Sequence, residues 1–339
     1  MRAVGYHVSH PIDHPESLLD LDLPRPVPAG RDLLVAVKAV SVNPVDTKMR
    51  LRAQGENGQP RVLGWDAAGV VEAVGPDVTL FAPGDAVWYA GSIARSGTNA
   101  EFHLVDERIV GAKPASLSFA QAAALPLTAI TAWELLFDRL GVPTRKNAGA
   151  GTLLIVGGAG GVGSILIQLA RRLTGLTVVA TASRPETRSW CLELGAHHVI
   201  DHREAFAPQL AAAGIQAVQY VASLTATDRH FAQCVELLAP QGRFGLIDDP
   251  GPLDVALLKR KSLSLHWELM FTRAIFGTPD MIEQHRLLTE VARLVDDGLV
   301  RTTLAETFGP VNAANLKRAH ALLESGKARG KVVLEGFGA

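Results

Sequence analysis

The sequence predicts an α/β protein of two domains: a strand-rich barrel or sandwich, then a doubly wound parallel sheet. Three observations carry this. The first 120 or so residues break into short strands separated by Gly and Pro, the texture of a closed or two-layered β domain. From Thr152 onward, short apolar strands alternate with helices, the pattern of a parallel sheet covered on both faces. The turn between the first strand and helix of that series holds a run of glycines, Val156-Gly157-Gly158-Ala159-Gly160-Gly161-Val162-Gly163-Ser164.

Taken in order, strands are predicted at 2–8, 32–42, 67–74, 85–90 and 101–105. The 32–42 strand alternates Leu34, Ala36, Lys38 and Val40 with Val35, Val37, Ala39 and Ser41. A helix starts at Asn43-Pro44, where an Asn cap precedes a Pro at the first helical position. Helices follow at 118–124, capped by Ser118, and at 127–140. The alternating series has strands at 152–156, 177–181, 198–200, 217–222 and 242–247, with helices at 161–173, 185–194, 205–213 and 228–238. After about residue 270 the alternation stops. A long amphipathic helix at 281–297 ends at Gly298, a strand lies at 302–308, a helix at 313–325 stops at Gly326, and a last strand lies at 329–334. This last piece is too small for an independent core and is expected to return to the first domain.

Composition narrows the function classes. Of 339 residues, 47% are apolar and 20% charged, so wholesale disorder is excluded. Lys+Arg number 33 against 34 Asp+Glu, a net charge of −1, which gives no electrostatic pull toward nucleic acid or anionic lipid. Cys191 and Cys234 can form neither a disulfide framework nor a four-cysteine zinc site. The apolar stretch 152–170 is interrupted by glycines and is not read as membrane-spanning, and the first residues lack a secretion signal. A cytoplasmic enzyme or binding protein is expected.

Gly158, Gly160 and Gly163 fit G-x-G-x-x-G between an apolar strand and an amphipathic helix. That arrangement supplies a tight turn, a close backbone approach and close helix–strand packing, and it aims the helix N-terminus at a pyrophosphate. Gly161 and Val162 add backbone donors, and Ser164 suits a phosphate hydrogen bond. The next strand ends Ala182-Ser183-Arg184, with Arg188 one turn later, and lacks the acid that would bind a ribose 2′-hydroxyl. A hydroxyl and guanidinium groups suit a 2′-phosphate, so NADPH is the expected cofactor. The competing assignment makes Arg184 and Arg188 solvated helix-start residues and gives the ribose to Glu186.

Motifs spread along the chain resemble a known family. They are Ser41-Val42-Asn43-Pro44-Val45-Asp46-Thr47-Lys48, Leu63-Gly64-Trp65-Asp66-Ala67-Ala68-Gly69, Leu125-Pro126-Leu127-Thr128-Ala129-Ile130-Thr131-Ala132-Trp133, the glycine turn, His266-Trp267-Glu268-Leu269-Met270-Phe271 and Gly330-Lys331-Val332-Val333-Leu334. The chain resembles the medium-chain dehydrogenase/reductase superfamily, in its zinc-free quinone oxidoreductase branch, the group called zinc-type alcohol dehydrogenase-like. The resemblance implies a GroES-like β-barrel catalytic domain over 1–125, with 270–339 returning to it, a Rossmann NADPH-binding domain over 126–269, an active-site cleft between them, and a homodimer. It also implies a Gly-Lys, here Lys331, close to the cofactor, and the His266-Trp267-Glu268 segment beside its nicotinamide half. Asn43, Trp65 and Leu127 stand where zinc-binding relatives have ligands. None of the three offers thiolate or imidazole, so no metal is expected.

The implied activity is hydride transfer from NADPH to a quinone or an α,β-unsaturated carbonyl. Asn43 and Thr128 are then the donors that meet the developing negative charge. Tyr89 and Asp46 are candidates for proton delivery, along with water. Trp65 is read either as barrel core or as lining the substrate cleft, and Lys331 either as a strand-end charge or as a cofactor contact. A non-catalytic NADPH-binding protein and an alcohol dehydrogenase are the alternatives. Of the histidines, His198 and His202 would align only on a helix, so a metal site there is not expected, and His10 and His14 are read as solvated.

Overall fold

The computed structural model describes residues 1–144 and 149–338. It divides into two compact units, one of Met1–Ile130 with Phe271–Ala339, the other of Thr131–Met270.

In chain order the first unit contains β1 (Arg2–Tyr6), β2 (Leu19–Asp22), β3 (Asp32–Val42), α1 (Pro44–Arg52), β4 (Arg61–Val62), β5 (Ala67–Val74), β6 (Ala86–Tyr89), β7 (Phe102–Asp106), β8 (Val110–Ala112) and α2 (Phe119–Ala123). Helix α3 (Pro126–Trp133) and a π-helical turn at Glu134–Arg139 follow. The second unit continues with β9 (Thr152–Val156), α4 (Gly161–Leu173), β10 (Thr177–Thr181), α5 (Pro185–Glu193), β11 (His198–Ile200), α6 (Phe206–Ala212), β12 (Val218–Ser223), α7 (Thr227–Leu237), β13 (Leu238–Leu246) and β14 (Ser264–Trp267). The chain then adds α8 (Thr272–Phe276), α9 (Glu283–Asp296), β15 (Leu304–Thr307), α10 (Ala313–Glu324) and β16 (Lys331–Glu335) to the first unit.

β3 organises the first unit. Both its faces are mostly buried, so its alternation separates two packed sides rather than core from solvent. It pairs with β5, β7 and β16, all antiparallel. The sheet order is β15-β16-β3-β5-β6-β8, and β2-β1-β4 form a second, smaller sheet. The register of β16 on β3 sets Val332 opposite Val42. Lys331 therefore lands beside Asn43, which caps α1.

The second unit is a parallel sheet of order β11-β10-β9-β12-β13-β14. β9 is buried at every position, as a parallel strand covered on both faces must be. Leu154, Val156, Val221, Phe231, Phe244 and Leu246 share its core, each contributing about 1.5–3 kcal/mol on burial. Strand order reverses beside β9, between β10 and β12, which is where a doubly wound sheet opens a crevice for a ligand.

The sequence missed the short strands β2, β4 and β8. Residues 119–139 are also long and apolar enough to cross a membrane, a stretch the sequence reading passed over. In the fold 83% of that window is buried, which is the position of a core helix.

Candidate active site

In the second unit the glycine turn divides its work unevenly. Gly157 alone among Gly157, Gly158, Gly160 and Gly163 has a left-handed backbone, with φ of 89°. A Cβ at Gly158 would come within 2.7 Å of Ala180 Cβ and 3.1 Å of Cys191 Sγ. A Cβ at Gly163 would meet the carbonyl oxygens of Gly157 and, at 2.6 Å, Gly158. Gly160 is different: it is exposed, its φ is −73°, and a Cβ there would find only Gly157 O at 3.6 Å. The open face at Gly160 leaves room for a ligand to approach the backbone. It caps α4, whose first N–H groups, at Gly161, Val162 and Gly163, have no acceptor within the helix and point at that face. The turn is tied to β10 by Gly157 N–H to Thr181 Oγ1 (3.0 Å) and Gly158 N–H to Thr181 O (3.1 Å). Ser164 does not serve as expected. It is fully buried, donates to Gly160 O at 2.7 Å and accepts from Trp190 Nε1 at 2.8 Å, so it braces the turn from behind.

At the end of β10, Ser183 and Arg184 are half-buried, and Arg184 caps α5 while pairing with Glu186 at 3.2 Å. Arg188 is turned inward, donating to Ala182 O (3.3 Å) and Val199 O (2.8 Å). It stitches the β10 and β11 ends together rather than facing out beside Arg184. Sequence reasoning missed Arg203. It follows β11, grips Asp201 with paired hydrogen bonds of 2.6 and 3.0 Å, and donates to Ser183 O at 3.2 Å. A second guanidinium therefore stands at the acid-free strand end. The signal lay in strand order: β11 neighbours β10, so residues just past the two ends must be close.

At the other edge of this sheet, Glu268 follows β14 and donates its N–H to Leu246 O at 3.0 Å. Its carboxyl is 2% exposed, accepts from Arg139 Nε at 2.8 Å and lies beside the buried Glu134. Burial first, then the Glu134 charge, push it up to about 9. A carboxyl held above its ordinary range favours folding when protonated, so stability falls as pH rises from that range toward 9. We expect the melting temperature to decline from about pH 5 to pH 9 and the decline to flatten in Glu268→Gln; parallel slopes for the two proteins would refute it.

The first unit holds a buried polar cluster. Lys331, 3% exposed, donates to Val42 O (2.8 Å) and Asn43 Oδ1 (2.5 Å) and pairs with Asp66 Oδ2 (3.2 Å). Asp66 also accepts from Asn43 Nδ2 (3.2 Å) and Leu127 N–H (3.1 Å). Asp46 accepts Asn43 N–H at 2.7 Å. Burial raises Asp66 to about 6 and Asp46 to about 7, and it lowers Lys331. Lys331 is thus not an exposed charge at the strand end but the buried centre of this cluster, with the three donors of its ammonium directed at Val42, Asn43 and Asp66. Asn43 is brought to it, with a further Nδ2 contact to Ser41 O at 3.4 Å.

The other expected catalytic residues are not brought together with it through any hydrogen bond described. Thr128 is buried and donates to Leu125 O at 3.0 Å. Trp65 is fully buried, donates Nε1 to Ser92 O at 3.1 Å and packs edge-on against Phe271, which places it in the core. Tyr89 is fully buried, with its hydroxyl 3.1 Å from His103 Nδ1, and burial raises its pKa strongly.

The residues at the three expected ligand positions do not fit zinc. Asn43 Oδ1 faces an ammonium, Trp65 Nε1 is a donor, and the Leu127 side chain is a hydrocarbon with no ligand atom. Among the described residues, the His, Cys, Asp and Glu side chains near enough to share an ion are His10, His14 and Glu16, on a surface loop. The two imidazoles stack at 3.7 Å, and His14 Nδ1 accepts Glu16 N–H.

Comparison with known proteins agrees with both units. Residues 29–130 match the alcohol dehydrogenase GroES-like domain, and residues 194–334 match the zinc-binding dehydrogenase family. A zinc-type alcohol dehydrogenase-like protein of Staphylococcus aureus strain MSSA476 is 42% identical over 98% of this chain and 99% of its own length. A protein of Rhizobium etli CFN 42 described as a zinc-dependent alcohol dehydrogenase is 63% identical, with a TM-score of 0.96 over 100% of this chain and 99% of that one. The quinone oxidoreductase of Escherichia coli, solved in complex with NADPH, is 25% identical, with a TM-score of 0.82 over 99% and 100% of the two chains. With a GroES-like domain, a Rossmann-type parallel sheet and relatives matched over nearly their full length, this chain is an oxidoreductase of the medium-chain dehydrogenase/reductase superfamily, in the zinc-type alcohol dehydrogenase-like group.

Proposed function

We propose that the chain reduces a quinone or an α,β-unsaturated carbonyl with NADPH and without a metal. The observation that carries this is the open glycine turn after β9 together with Ser183, Arg184 and Arg203 gathered just past the end of the neighbouring strand β10. The Escherichia coli relative solved with NADPH supports the cofactor. Bound NADPH would supply the hydride. The chain's own work is to receive the pyrophosphate on Gly160 to Gly163, to meet the 2′-phosphate with guanidinium groups, and to hold donors for charge developing on the acceptor oxygen. Asn43 and Thr128 are the proposed donors. Each would exchange a bond it now makes, Asn43 the long one to Ser41 O and Thr128 the one to Leu125 O.

The Rhizobium relative favours a second reading, alcohol oxidation at zinc. Against it stand Asn43, Trp65 and Leu127, which offer zinc no ligand set. A panel of quinones, enones and alcohols, with NADPH or NADP+ followed by absorbance, separates the two. Turnover of alcohols alone, abolished by chelator, would overturn the proposal.

For the cofactor, Arg184→Ala should weaken NADPH by roughly 10- to 100-fold, because a hydrogen bond to a charged group contributes about 1.5–3 kcal/mol. NADH should be unaffected. Equal losses for both would make Arg184 structural.

A cytoplasmic homodimer completes the proposal. β14 is an edge strand of its sheet, and Trp267 at its end and Leu269 just past it are 54% and 50% exposed, a surface suited to a second copy. Light scattering should give twice the chain mass, and a monomer at micromolar concentration would refute it.

A further inference from the structure

Most buried ion pairs in proteins are two side chains side by side. The arrangement at Lys331 is different, because three oxygen atoms from two segments, the β3–α1 junction and the residue before β5, converge on one nitrogen. Val42 O comes from the end of β3, Asn43 Oδ1 from the cap of α1, and Asp66 Oδ2 from the residue before β5, at 2.8, 2.5 and 3.2 Å. A second carboxylate, Asp46, is tied to the Asn43 backbone. Asn43, Asp46, Asp66 and Lys331 are each at most 3% exposed. Carbonyl, carboxamide and carboxylate oxygens around a buried centre are the donor set of a cation site, of the kind that suits hard divalent ions.

We propose that Lys331 is the resident cation of this site: its tethered ammonium fills the place of a metal ion and excludes one. The β16–β3 register delivers Lys331 there as part of the fold. A divalent ion entering would be pressed against an ammonium in a medium that screens charge poorly, and it would find the nearest oxygens already bonded. The chain thus keeps a positive charge at the position without taking up metal. The inference does not depend on which acceptor the enzyme reduces.

The test uses the full chain and Mn²⁺, an oxygen-seeking probe that discriminates against surface histidines. Binding is followed by calorimetry and by loss of the free-ion paramagnetic signal. Wild type should take up no stoichiometric Mn²⁺. Lys331→Met, which keeps the length and removes the charge, should bind one ion per chain at least about 100-fold more tightly than wild type. The Asp66→Asn/Lys331→Met double variant should lose that binding again. One tightly held equivalent in wild type would overturn the proposal, as would a Lys331→Met chain that binds no better than wild type. Should Lys331→Met fail to fold, wild type labelled with ¹⁵N-lysine decides. A resident cation shows a slowly exchanging NH₃⁺ at neutral pH, absent in Lys331→Arg. A fast-exchanging or neutral amine refutes it. These readouts involve neither NADPH nor an acceptor, so their failure is distinct from failure of the proposed activity.

Discussion

Replacing Asp66 with alanine is expected to destabilise its unit by about 3–5 kcal/mol, the usual result of leaving a buried charge without its partner. A domain is stabilised by only about 5–15 kcal/mol in total, so much of the protein should unfold under mild denaturant. The loss has several parts. The Lys331 ammonium would lose its carboxylate, and Asn43 Nδ2 and Leu127 N–H would lose acceptors in a site closed to water. pH gives the signature. Burial already holds Lys331 below the ordinary lysine range, and Asp66 is the main opposing influence. Without Asp66 the folded state favours neutral lysine while the unfolded state stays charged. Stability of the variant should therefore recover as pH rises toward the ordinary lysine value. Urea titrations of wild type and Asp66→Ala from neutral to alkaline pH measure both effects. A loss below about 1 kcal/mol, or one independent of pH, would mean that water or a rearranged side chain screens the ammonium.

Gly163→Ala should be the most damaging single change in the second unit. Its methyl would be driven into the carbonyl oxygens of Gly157 and Gly158, which are backbone atoms with nowhere to retreat. Overpacking of this kind costs about 1–3 kcal/mol, and the turn that yields is the one proposed to hold the pyrophosphate. NADPH affinity should fall by roughly 100-fold together with the melting temperature. Gly160→Ala supplies the contrast. Its methyl meets nothing closer than 3.6 Å, so stability should hold while the cofactor is crowded. Thermal melts and NADPH titrations on both variants read this out. A Gly160→Ala protein that binds NADPH like wild type would show that the ligand does not approach there.

The second unit was legible because its signals are local. An apolar strand, the glycine run and an amphipathic helix are consecutive in sequence, and α4 begins and ends where periodicity placed it, at Gly161–Leu173. Of the glycines, the sequence could not say which needs a left-handed backbone and which needs mere absence of bulk. That depends on Ala180, Cys191 and the turn's own carbonyls.

The first unit resisted for the opposite reason. β2, β4 and β8 have two to four residues each, too short to show a period. Its site is assembled from residues that are nearly 300 positions apart.

What the sequence by itself determined is the fold class, the dinucleotide turn and the acid-free end of β10. Each is a property of residue type or of spacing within about 30 positions. Only the tertiary structure decided where the charges went. It turned Arg188 inward and brought Arg203 to Ser183. It set Glu268 beside Glu134, and it carried Lys331 from the C-terminal strand to Asp66. A charged side chain has no periodic signature, and its partner is chosen by strand register and by the burial that makes an unpaired charge intolerable.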